Sequence, residues 1–147
     1  MQARATTASV FIGSVAAAAT TGALIGVGRR AGSAGLPFAA TAAVLSHRTP
    51  SAAVLGLVFV GLVLHVALTF AWAAAFTWLA EGPVRRDVVA ACTVSLAQFA
   101  VSWVVAGVTG AGVASVIPLG DRIVLAVVMA GSLVVGMRFA RSLARYA

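Results

Sequence analysis

Lysine is absent from this chain, and acids are nearly so. Ten arginines face only Glu81, Asp87 and Asp121, giving a net charge of +7. Charged residues are 9% of the 147, against roughly 25% in a soluble domain. So little charge excludes an ordinary soluble fold. Cys92 stands alone, which excludes a disulfide framework and a cysteine-based metal site. Only His47 and His65 could titrate near neutrality. The apolar segments hold no Asp, Glu, Lys or Arg, which argues against a carboxylate-driven antiporter and a voltage sensor. No His/Glu cluster suits a di-metal site, no nucleophile has an adjacent base, and no loop suits a phosphate. The chain is therefore expected to be non-enzymatic. Nor is nucleic acid expected as a partner, because no basic patch is interleaved with exposed aromatics.

What is present is apolar. Hydrophobic residues make up 62% of the chain, and mean hydropathy is +1.09. The organising stretch is residues 51–80, thirty residues broken only by His65 near the centre. A helix of that length runs ~45 Å, against a bilayer hydrocarbon core of ~30 Å. The spacing of apolar runs predicts an all-α integral membrane protein. Its expected form is a single-domain four-transmembrane-helix bundle, with spans at about 7–28, 51–80, 88–108 and 121–140.

The first run could be read as a signal peptide, with Arg4 as its basic start. It continues past signal-peptide length to Arg29 and Arg30, so a span is preferred. Within it Gly22 and Gly26 form a G-x-x-x-G, a surface for helix packing inside the chain or in a dimer. Residues 36–45 are too short to cross and predict an interfacial or re-entrant helix over 36–46; a fifth span is the alternative. Thr49-Pro50 resembles an N-cap and N1 pair opening the second span, and Glu81-Gly82-Pro83 a stop signal. Asp87 and Asp121 are expected to cap the third and fourth spans. The intervening residues are so few that spans two and three form an antiparallel hairpin.

Polar residues in the spans keep to faces. Ser95, Gln98 and Ser102 share one, and His65, Thr69 and Trp72 share another. These residues, Trp72 aside, are the candidate binding cluster. A neutral His65 hydrogen-bonded to Gln98, Ser95 or Ser102 would hold two helices in register. Alternatively His65 lines a binding site or pathway, or ligates haem with Met129 opposite. No other cofactor and no metal is expected. Trp72, Trp78 and Trp103 suit an aromatic belt. Arg29, Arg30, Arg85, Arg86, Arg138, Arg141 and Arg145 are expected on lipid headgroups, the last three as a basic stripe. Six arginines fall on the side of both termini and four on the other, which places the termini in the cytoplasm. Arginine without lysine, beside abundant Ala, Gly and Val, suits a GC-rich genome and a bacterial inner membrane.

The expected function is a small accessory or structural subunit that packs against other membrane subunits or itself. The alternative is a small channel or transporter with a polar passage near His65 and Gln98. A cavity reaching His65 favours the second; a tightly packed interior favours the first.

Overall fold

The computed structural model describes residues 2–46, 49–51, 53–80 and 84–146. Among them it is all-helical, with no strand. The helices are α1 Gln2–Arg30, α2 Leu36–Ser46, α3 Leu55–Leu79, α4 Val84–Thr109, the one-turn α5 Val113–Val116, and α6 Leu119–Tyr146. Four are long and apolar enough to cross a membrane: Thr7–Arg30, Leu55–Leu79, Arg86–Thr109 and Leu119–Ala144.

Helix starts differ from the expectation where a charge or a turn intervenes. Pro50 does not open α3. Val54 N–H donates to Ser51 O at 3.4 Å, and Val54 is the N-cap, extended and without a side-chain cap bond. Asp87 does not cap α4, which begins at Val84 and carries the carboxylate inside its first turn. Asp121 lies likewise inside the first turn of α6. There a carboxylate still meets the positive end of the helix dipole, and each is also taken by an arginine of another helix. The expected stop at 81–83 lies outside the described residues. α3 ends just before it, with Ala80 N–H donating to Phe76 O at 2.8 Å.

Side-chain contacts fix the helix directions. The hydroxyls of Ser9 and Thr77 lie 2.9 Å apart, and Thr20 reaches His65, so α1 and α3 run antiparallel. Ile12 packs on Gly136 and Arg30 pairs with Asp121, so α1 and α6 do as well. α1 thus lies between α3 and α6. Because α3 returns antiparallel to α1, α2 does not traverse the bundle. Instead Pro37, Phe38, Ala39, Ala40, Ala42 and Ala43 are buried, and α2 is wedged against α3. Gly61 permits that crossing, since a Cβ there would fall on the Phe38 carbonyl. A Cβ at Gly22 or Gly26 would meet nothing within 4 Å, so each leaves room on its face of α1.

The core divides by height. At the end holding the α3–α4 turn, Ile12, Ala73, Phe76, Ala91, Met129 and Leu133 pack closely around small side chains. At the other end Leu24, Val27, Phe38 and Ile117 form a smaller cluster under α2 and α5. Gly112 N–H donates to Ala40 O at 2.9 Å and ties the two short helices together. α3 and α4 touch far less than α1 touches either α3 or α6, and a cavity occupies the space between them.

Candidate functional site

The cavity measures about 380 Å³. It lies in the size range of small-molecule sites, ~300–1,000 Å³. His65, Thr69, Ser95, Gln98 and Ser102, the polar set singled out from the sequence, all line it. Helical spacing places them so: the face of α3 holding His65, Thr69 and Trp72 is turned toward the face of α4 holding Ser95, Gln98 and Ser102. Thr20, Thr41 and Arg122 contribute as well, and the remaining wall is largely Leu, Val and Phe.

His65 does not pair with the α4 side chains as expected. Its Nε2 lies 3.0 Å from Thr20 Oγ1 of α1. Thr20 also donates to Ala16 O at 2.8 Å. A hydroxyl has one proton, so the imidazole Nε2–H donates to Thr20. Phe38 of α2 meets the ring edge-on, centroids 5.9 Å apart. The histidine thus joins α1, α2 and α3. α1 took its place because α3 packs against α1 far more closely than against α4, leaving Gln98 across open space. Met129 belongs to the tight apolar core and not to the cavity lining, so the His65–Met129 haem pair does not form. No group of three or more His, Cys, Asp or Glu that could hold a metal occurs among the described residues.

Most hydroxyls in the cavity wall are occupied within their own helices. Thr41 donates to Pro37 O at 3.0 Å, Thr69 to His65 O at 2.8 Å, and Ser102 to Phe99 O at 2.8 Å. Such back-bonds are the usual fate of Thr and Ser in a helix. Ser95 is the exception: its Oγ is buried and has no hydrogen-bond partner. Arg122 Nε is buried without one as well. The Arg122 guanidinium lies 6.0 Å from the centroid of the Trp103 ring, within cation–π range.

The other arginines divide into two groups. Arg141 grips the fully buried Asp87 carboxylate with both arms, Nη1–Oδ2 at 2.5 Å and Nη2–Oδ1 at 2.9 Å. Its Nη2 also donates to Ala80 O at 3.3 Å. Arg141 is therefore a clamp between α6 and α4, not a headgroup ligand. Arg30 pairs with Asp121 at 2.5 Å while its side chain stays largely exposed. Arg29, Arg86 and Arg138 are exposed. The side chains of Arg85 and Arg145 lie outside those described. Trp78 and Trp103 are mostly exposed, whereas Trp72 lines the cavity.

Sequence reasoning missed Thr20 and Arg122 as site residues. Thr20 is one of several threonines in α1, and nothing in its spacing sets it apart. Arg122 reads as an end-of-helix charge until its neighbours are known. No protein-family model matches the chain, and no curated protein or solved structure matches it either. Function is therefore argued from this geometry.

Proposed function

We propose that the chain is a small multi-pass membrane protein that admits a small molecule to the cavity between α3 and α4, as a channel or transporter. Its passage is the polar face formed by His65, Thr69, Ser95, Gln98 and Ser102. The observation carrying this reading is the cavity itself: about 380 Å³, reaching His65 and lined by the polar faces of α3 and α4. The four long apolar helices support insertion, and exposed Arg29, Arg86 and Arg138 sit near helix ends where headgroups would lie.

Cysteine accessibility tests the reading. In a Cys92→Ala background, Ser102→Cys and Thr69→Cys in proteoliposomes should react with a small charged methanethiosulfonate. Leu133→Cys, in the tight core, should not. Reaction from both sides in turn supports a transporter or channel; protection from both sides overturns the reading. A second reading, an accessory subunit packing against partners, draws on the open Gly22 and Gly26 face of α1. Unreactive cavity positions would leave that one standing.

A further inference from the structure

The chemistry of the cavity wall narrows its occupant. Arg122 is the one charged side chain among the described lining residues. Ser95 Oγ–H and Arg122 Nε–H are buried and unpartnered. The threonine and Ser102 hydroxyls already spend their protons on helix carbonyls or, for Thr20, on Ala16 O. No acidic side chain is among the described lining residues. Asp87 and Asp121 are bound to Arg141 and Arg30, so neither neutralises Arg122. A cationic occupant would find no counter-charge, while an anionic one would find a guanidinium. The Arg122 guanidinium lies 6.0 Å from the Trp103 ring centroid, and Arg122 is among the residues that line the cavity.

The apolar walls add the second half of the argument. Leu68 of α3, Val101 and Val105 of α4 and Leu125 of α6 offer no hydrogen bond. A bare inorganic anion would be poorly matched to such a surface. From Ser95 to Val105 the α4 wall rises over ten residues, ~15 Å along the helix axis. That is the reach of a medium-length alkyl chain. Arg122 lies in the first turn of α6, at the end where α4 finishes, so the charge sits at one end of this length.

We propose that the cavity takes a single-chain amphiphile with one anionic head, a carboxylate or phosphate, with its head on Arg122 and its chain along the apolar wall. This rests on the reading of the cavity as a small-molecule site and names the class of its occupant. Ser95 and Gln98 then lie beside the chain, away from the head. A two-chain phospholipid is too large to be enclosed in 380 Å³.

The test uses the full chain in phosphatidylcholine nanodiscs with a photoreactive diazirine analogue of dodecanoate. Competitors are dodecanoate, dodecyl phosphate, dodecanol, dodecyltrimethylammonium and inorganic phosphate. Attachment should map by mass spectrometry to α4 near Val101 and Val105. The two anionic amphiphiles should compete at least about tenfold better than the neutral and cationic ones, the scale of a charge-assisted hydrogen bond. Their relative order identifies the head as carboxylate or phosphate. Arg122→Gln should flatten the preference and Arg122→Lys should retain part of it. The competitor order on the unaltered chain decides the matter even if a variant fails to fold. Dodecanol competing as well as dodecanoate overturns anion recognition and leaves the cavity reading intact. Competition by inorganic phosphate overturns the amphiphile class. No attachment in the cavity with any probe, together with unreactive cavity cysteines, overturns both.

Discussion

A methyl group at position 61 would collide with the backbone carbonyl of Phe38, so one hydrogen atom there sets how α2 meets α3. Backbone atoms cannot swing aside as a flexible side chain can. Gly61→Ala should therefore destabilise the fold by ~1–3 kcal/mol or more, the cost of overpacking. Gly131→Ala, where a Cβ meets nothing within 4 Å, should be neutral or gain up to ~1 kcal/mol from helix propensity. Unfolding in micelles followed by circular dichroism compares them, and equal stability of the two variants would refute the tight crossing. His65 shows how far a residue can be read in advance. Its mid-helix place in an apolar run announced a polar contact, and spacing put it on the face that lines the cavity. Its partner was beyond reach of the sequence. Both Thr20 and Gln98 lie at a suitable depth, and only the packing of α3 on α1 decides between them.

Whole helices were legible because apolar runs long enough to cross a membrane, ended by Gly, Pro or Arg, leave few alternatives. The 36–46 helix was legible for the same reason, being too short to cross. Helix ends were less so, since Asp87 and Asp121 satisfy the sequence rule for a cap while their actual partners lie on distant segments. The basic stripe on α6 misled most. Arg138, Arg141 and Arg145 repeat at helical spacing, yet Arg141 turns inward to Asp87, fifty-four positions earlier. Charge pairing across that distance leaves no local pattern. The clamp holds the end of α6 to the start of α4 beside the α3–α4 turn. Removing one partner from a buried ion pair strands a charge, at ~3–5 kcal/mol. We predict that loss for Arg141→Leu, measured by denaturant titration in micelles. The double variant Asp87→Leu/Arg141→Leu should recover most of it, because two apolar side chains replace the pair at little net cost. Arg138→Gln, at an exposed site, should leave stability unchanged and weaken the preference for anionic over zwitterionic lipid by ~1 kcal/mol. Equal losses for the double variant and Arg141→Leu would remove the clamp from the account.

At the scale of the molecule, the two ends of the bundle are packed by different means. Small side chains and the Arg141–Asp87 clamp close the end where α3 finishes and α4 begins, while α2 and α5 cover the opposite end. Alternating helix directions place Arg86, Arg138 and Arg141 at the closed end, and Arg29, Arg30 and Arg122 at the other. Counting Arg4, Arg85, Arg145 and Arg48 by their sequence positions restores the six-to-four division. Positive residues orient such proteins by their number near the spans, and acids contribute little, so the ion pairs do not cancel the bias. The closed end should then face the cytoplasm, with both termini on that side, and Arg122 should face outward. In a Cys92→Ala background, Gln2→Cys and Tyr146→Cys in sealed inside-out vesicles should both react with an impermeant maleimide; in right-side-out vesicles neither should. Reaction of the two positions from opposite sides would mean an odd number of crossings. That would require α2 to cross, against the antiparallel return of α3 along α1, and would sink the four-span arrangement. Reaction of both from the outside would keep the bundle and reverse it. The arginine of the proposed site would then lie on the cytoplasmic side, and its anionic amphiphile would have to come from within the cell.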